Sequence, residues 1–389
     1  MKILHTSDWH LGRRLRGRDR TPEIAYALEQ ILSLVETQQV DAVLIAGDIF
    51  DTANPSAEAE KVAYEFFAQL HKLAVPAVAI AGNHDAAGRI DSLAPILAPL
   101  NIHLLGRPRP AQKGGLIQLN TRSGPLNIGA IPFASERRLL RAEDLWERNE
   151  TEQGSHYMQV IRHLFNQLSV GFTADAVNVV MGHLTFMGSK KTGSEIRHHS
   201  EDTYELSSQL IPSTAQYAAL GHIHQPQQIS HATPTYYSGS LIQVDFGEAG
   251  QEKGVNLITV EPGRPAKVEF YTIPCLKPLQ QVFCTIRNVE EVLDEYQEHP
   301  GFLKVSIDLE KPEFGLGDRI RKICPQALII EVNYPLAPQD QPREPITTEN
   351  IDLAATYGQY YEQRGKGQPN PAVLNAFVAL HEEFSHAAD

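Results

Sequence analysis

Short apolar runs alternate with amphipathic stretches through the first half of the chain. Ile3–Thr6, Val40–Ala46 and Val75–Ala81 read as strands, and Val177–Met181 and Tyr217–Leu220 have the same form. Ile24–Val35 reads as a helix started by Thr21, with Pro22 at its first position. Ala57–Leu73 reads as a second helix, N-capped by Ser56. Continuous apolar strands suit burial on both faces, so the pattern predicts a layered α/β fold with a sheet in the middle.

Beyond residue 230 the chain becomes strand-rich, at Tyr236–Ser238, Val255–Val260 and Val268–Ile273, which predicts antiparallel members finishing the sheet. Pro274 and Pro278 bracket a boundary. From Gln281 to Tyr334 the order strand, helix, strand, helix, strand predicts a small α+β unit. A Pro- and Gln-containing linker, Pro335–Pro345, leads to helical patterns over Thr348–Arg364 and Pro371–His386. The last places Leu374, Phe377, Leu380 and Phe384 on one face, suited to a partner's groove or to packing on the preceding helix.

Composition narrows the class. The 389 residues carry a net charge of −13, which argues against bulk electrostatic binding of nucleic acid but leaves a local basic site open. Residues 281–389 hold 18 of the 47 acidic side chains and only 9 of the 34 cationic ones, so the acidity is concentrated there. Cys275, Cys284 and Cys324 form no CxxC pair, which fits a reducing compartment. The N-terminus has no apolar signal core, and no apolar run reaches the length of a membrane span. The expectation is a cytoplasmic protein without membrane contact.

The chemistry is carried by the residues just past each strand. Asp8-Trp9-His10, Gly47-Asp48, Gly82-Asn83-His84-Asp85, Gly182-His183 and Gly221-His222-Ile223-His224 all fall at strand C-termini, where crevices form in α/β sheets. One such piece means little; five in this order predict a dinuclear metal site built from Asp8, His10, Asp48, Asn83, His183, His222 and His224. The mixture of imidazole and oxygen donors suits manganese, iron or zinc better than magnesium. Two such ions together suit in-line hydrolysis of a phosphoester.

The set D-x-H, G-D, G-N-H-[DE], G-H and G-H-x-H resembles the calcineurin-like metallophosphoesterase superfamily. The segments Ser7–Gly12, Gly47–Asp51, Ala219–His224 and Tyr237–Ser240, with Phe246-Gly247-Glu248, are similar to the nuclease-subunit family of bacterial SbcCD complexes. The resemblance implies a layered α/β/β/α metallophosphoesterase fold. It implies a nuclease domain over 1–275, a capping domain over 276–340, and a linker with partner-binding helices over 341–389. One ion, manganese by preference, would take Asp8, His10, Asp48 and His224; the other would take Asp48, Asn83, His183 and His222. His84 would face the scissile phosphate, oriented by Asp85. Some relatives place a histidine where this chain has Asp51, so no second imidazole role is transferred.

The same resemblance implies DNA as substrate, with 3′→5′ exonuclease action on duplexes and endonuclease action on single strands and hairpins. No Walker-type motif occurs, so ATP dependence would come from an SbcC-type coiled-coil ATPase bound by the C-terminal helices. A homodimer within a heterotetramer is implied, with Lys61–Leu73 and Ile90–Leu100 as its face. Arg13, Arg14, Arg16, Arg18 and Arg20 form a candidate phosphate-tracking edge, and Lys190 and Lys191 with Arg197-His198-His199 a second; a solvated loop is the plainer alternative for each. Trp9 is expected beneath the site as packing. Rival functions are a small-molecule phosphodiesterase, a phosphoprotein phosphatase, or a metal-free scaffold.

Overall fold

The computed structural model describes residues 1–135, 150–193, 195, 205–309, 311, 313–334, 356–357 and 370–377. Its contacts divide the chain into two compact units, Met1–Asn333 and Tyr334–Asp389.

The first unit begins with β1 (Lys2–Thr6), a short hairpin of β2 (Arg14–Leu15) and β3 (Arg18–Asp19), and α1 (Thr21–Thr37). Then come β4 (Ala42–Ile45), α2 (Ala57–Lys72), β5 (Ala77–Ile80), α3 (Ala87–Leu97) and β6 (Ile102–Leu105). Ser56 caps α2 by accepting the Ala59 N–H, as its position predicts. Strands β1, β4, β5 and β6 are parallel, joined by helical crossovers.

A second sheet is built next in the chain: β7 (Leu116–Thr121), β8 (Gly124–Ile131), α4 (Glu150–Ser169), β9 (Val177–His183), β10 (Tyr217–Gly221), β11 (Gln227–Ile229) and β12 (Thr235–Tyr237). Its order is β11-β12-β10-β9-β8-β7. The chain then returns through β13 (Gly254–Thr259) and β14 (Lys267–Thr272), which complete the first sheet antiparallel, in the order β14-β13-β1-β4-β5-β6.

The single middle sheet predicted from the pattern is therefore two. Alternation along each strand explains it. Ile3, Leu44, Val78 and Ile80 turn inward and meet Ile128, Val179, Met181 and Tyr217 of the other sheet. Leu4, Val43 and Ile45 face the opposite way, into the core with α1 and α2. Helix α4 covers the outer face of the second sheet through Ile161, Phe165 and Leu168. The result is the α/β/β/α layering. An apolar run shows that both faces are buried, not what buries them.

The small unit has the expected order: β15 (Leu279–Thr285), α5 (Val289–Asp294), β16 (Phe302–Asp308), α6 (Leu316–Ile323) and β17 (Ala327–Asn333). Its three parallel strands enclose their own core of Val282, Leu293, Val305, Ile307 and Ile320. Leu279 joins Leu15 and Phe246 in a separate apolar cluster at the junction with the sandwich.

In the second unit, Leu374 and Phe377 lie half-buried on a helical stretch over 371–377. The Phe377 ring stacks on Tyr357 at 4.3 Å, so this part of the stripe packs within its own unit. Leu380 and Phe384 lie outside the described residues. No described helix is long and apolar enough to cross a membrane.

Candidate metal centre

Parallel strands deliver their C-termini to one edge, and this places the site. Asp8 and His10 follow β1, Asp48 follows β4, and Asn83 and His84 follow β5. His183 is the last residue of β9, and His222 and His224 follow β10. Four of these residues have left-handed backbone: Asp8 (φ 51°), His10 (φ 52°), Asp48 (φ 50°) and His222 (φ 100°). Side-chain-bearing residues avoid that region unless their surroundings hold them there, and such strain clusters at functional sites. Gly47 and Gly82 complete the cradle: a Cβ at either would collide, with the His183 ring and the Asp48 carboxylate respectively.

The donor atoms converge. His10 Nε2 and His224 Nε2 are 3.1 Å apart. Asp48 Oδ2 lies 3.4 Å from His183 Nε2 and 3.8 Å from His10 Nε2, between the two halves of the cluster. Asn83 Oδ1 is 3.0 Å from His183 Nε2 and 2.9 Å from His222 Nδ1. Asp8, His10 and His224 can present ligand atoms within 4.8 Å of one another, as can Asp8, Asp48 and His183. All seven candidate ligands are thus brought together.

The surroundings orient these groups. His183 Nδ1 pairs with the Ala46 carbonyl at 2.8 Å, leaving Nε2 for the site. Ser7 Oγ donates to Asp8 Oδ2 at 2.6 Å and lies 2.8 Å from Ser238 Oγ, so the Tyr237–Ser240 segment forms part of the floor. Burial alone would lower His183, but the Asp48 carboxylate reverses this and holds the imidazole up at about 9. Burial opposes the charge of Asp48, yet His183 and His10 keep its carboxyl well below the usual range. Burial likewise opposes charge on His224, and Glu248 raises it. Closely opposed imidazole nitrogens and buried carboxylates are a donor set that fits divalent cations.

Residues 1–226 match the calcineurin-like phosphoesterase family. The SbcD component of the SbcCD nuclease from Bacillus subtilis is 33% identical over 98% of this chain and 97% of its own length. The chain belongs to the calcineurin-like phosphoesterases, in the SbcD family. Proteins of the same name from Escherichia coli and Staphylococcus epidermidis are 28% and 29% identical. They cover 85% and 76% of this chain, and 84% and 75% of their own lengths.

Within this phosphoesterase, the remaining candidate residues divide sharply. His84 is half-buried at the mouth; its backbone N–H donates to Asp48 Oδ1 at 2.8 Å, and Nδ1 pairs with the Asp51 carbonyl at 2.7 Å. Asp85 does not orient that ring. Its buried carboxylate instead accepts from the backbone N–H groups of Gly82, Ile49 and Phe50, tying the loops after β4 and β5 together. Burial, with the charge of Asp48, pushes Asp85 up to about 6 against those three donors.

The arginine edge also needs correcting. Arg20 is fully buried, pairing with Glu23 and donating to the Gln243 carbonyl at 3.1 Å, so it is a structural residue. Arg13 is held by Asp51 at 3.3 Å and Asp245 at 3.8 Å. Arg14, Arg16 and Arg18 are exposed. Lys190 is exposed, whereas Lys191 pairs with Glu205 at 2.9 Å. Arg197, His198 and His199 lie outside the described residues. Trp9 is buried against Phe66, with its indole N–H on Thr6 Oγ1, and offers no stacking surface.

Three contributors escape the sequence reading. Phe133 stacks on His222, with ring centroids 6.4 Å apart. Asp51 Oδ1 faces His10 Nδ1 at 3.3 Å. Glu248 Oε1 pairs with His224 Nδ1 at 2.9 Å. Glu248 carried a signal as the last residue of Phe246-Gly247-Glu248, and Asp51 as the last residue of Gly47–Asp51; Phe133 carried none.

Proposed function

We propose that this chain is the metal-dependent nuclease subunit of an SbcCD-type complex, hydrolysing DNA phosphodiesters. The observation that carries the reading is the convergence of the seven donors around Asp48, in a chain that aligns over 98% of its length with a nuclease subunit. Asp8, His10, Asp48 and His224 would hold one divalent ion, and Asp48, Asn83, His183 and His222 the other. Manganese is the preferred occupant of this mixed nitrogen and oxygen set. When bound, the ions supply Lewis acidity and positive charge at the phosphate.

The chain's own residues do the rest. His84, with Nδ1 engaged by the Asp51 carbonyl, leaves Nε2 for the scissile phosphate, as general acid or to stabilise developing charge. Asp85 keeps the Asp48 and His84 loops in register. Exposed Arg14 and Arg16, with Lys190, track the DNA backbone beside the site. The action is 3′→5′ on duplex ends and endonucleolytic on single strands and hairpins.

Assembly accords with the same reading. The C-terminal segment that contains Leu374, Phe377, Leu380 and Phe384 binds a coiled-coil ATPase of SbcC type. Helices α2 and α3 form the homodimer face, where Ile96 is 66% exposed beside half-buried Leu93 and Leu97. The complex is a cytoplasmic heterotetramer. The test is cleavage of hairpin DNA by the manganese-loaded protein with its ATPase partner and ATP, compared with magnesium. Uncut hairpin, or turnover of small phosphoesters that DNA does not inhibit, would sink the proposal.

A further inference from the structure

Behind His224 lies a buried charge pair that the hydrolytic scheme leaves unused. Glu248 and Lys253 are both 0% exposed. Lys253 Nζ lies 2.6 Å from Glu248 Oε2 and donates to the His224 carbonyl and Ser240 Oγ, each at 3.0 Å, and to Gln251 Oε1 at 3.1 Å. Glu248 Oε2 also accepts from Ser240 Oγ and the Val244 N–H, each at 3.1 Å, while Oε1 reaches His224 Nδ1. Burying two opposite charges carries a desolvation penalty that an apolar pair of similar volume would avoid. A pair buried in this place, touching one residue's ring and its carbonyl, points to control of that residue.

We propose that Glu248 and Lys253 are a positioning pair for His224, resting on the reading of His224 as a metal ligand. Glu248 accepts the Nδ1–H, which fixes the tautomer with its lone pair on Nε2, the atom facing His10 Nε2. Lys253 holds both the carboxylate and the His224 carbonyl, so ring and backbone are restrained together. The other half of the centre is set differently. There, His183 relies on the neutral Ala46 carbonyl. The pair therefore acts on one of the two metal positions and not on both.

The test is titration of the full-length protein with Mn²⁺ alone, free ion being read by electron paramagnetic resonance, alongside thermal unfolding of the metal-free form. Glu248→Gln combined with Lys253→Met removes both charges at nearly constant volume and avoids stranding a buried lysine. The double variant is expected to unfold within a few degrees of wild type and to bind one of two equivalents about 10- to 100-fold more weakly. His224→Ala is the reference and should weaken the same equivalent. If His224→Ala leaves both equivalents intact, the ligand assignment itself fails. If it weakens one while the double variant binds both as wild type does, the positioning pair fails. Loss of both equivalents with a large fall in unfolding temperature would also overturn it, because the pair would then be holding the fold and not the ring.

Discussion

His10 and His224 face each other Nε2 to Nε2 at 3.1 Å, and each has a carboxylate behind its Nδ1: Asp51 for the first, Glu248 for the second. Two imidazole nitrogens meet this closely only with a proton or a cation between them. The Glu248 carboxylate turns the Nδ1 side of the His224 ring outward and commits its Nε2 to the gap, while Asp51 sets a negative charge 3.3 Å behind His10.

Divalent metal should therefore stabilise the folded chain as well as activate it. Manganese at about 100 times its dissociation constant should add about 2.7 kcal/mol per site. The check is thermal unfolding across a manganese series and after chelation. An unfolding temperature insensitive to both would contradict a preformed centre. Asp48→Ala, which removes the carboxylate between the two halves, should abolish most of the gain.

The proposed roles of Asp48 and His84 should separate by metal content. His84→Ala should lower cleavage by about 10²- to 10⁴-fold, the range for a lost proton-transfer group, with bound metal unchanged. Asp48→Ala should lose metal and activity together. Elemental analysis of the two purified variants decides the matter; equal metal loss in both would merge the roles.

Arg20 and its exposed neighbours should respond oppositely. Arg20→Ala strands buried Glu23 and should destabilise the fold by about 3–5 kcal/mol in chemical denaturation. Arg14→Ala and Arg16→Ala should change stability by no more than about 0.5 kcal/mol. Each should instead reduce the slope of log affinity for DNA against log salt by about one. An unchanged slope in both would remove that loop from the DNA path.

His5 should contribute a defined acid limb to stability. It is fully buried between the Tyr217 hydroxyl at 2.8 Å and the Leu220 carbonyl at 3.1 Å. Burial lowers it to about 3, the Leu220 carbonyl opposing, whereas an unfolded histidine titrates near about 6.5. Between those values the unfolded chain binds the extra proton, so this group's stability is lost as pH falls, by about 1.4 kcal/mol per pH unit. Denaturant unfolding between pH 6.5 and 4.5 should show a shallower decline in His5→Gln than in wild type.

The parts of this molecule visible in its residue pattern are those with a local rule. Val43 and Leu44 read as a doubly buried strand, Ser56 as a cap, and the Asp8, Asp48 and His183 turns as donors at one sheet edge. The hidden parts depend on long-range geometry. Arg18 and Arg20 look equivalent in sequence, yet Arg18 is exposed while Arg20 meets Glu23 and lies over the Phe302 ring from the small sheet. Lys253 has no pattern at all; only the fold brings its amine to Glu248 and the His224 carbonyl. Asp85 sits beside His84 in sequence but turns away, because three backbone N–H groups compete for its carboxylate.

The turn that carries Glu248 also touches the small sheet. Phe246 shares an apolar cluster with Leu15 and Leu279, and the Gln281 amide donates to the Phe246 carbonyl at 2.7 Å. Two residues further on, Glu248 meets His224. Ending the chain at Pro274 would therefore not release a self-sufficient catalytic half. It would uncover Phe246 and slacken the carboxylate behind His224. In mechanical terms, the small sheet is a splint for the metal centre.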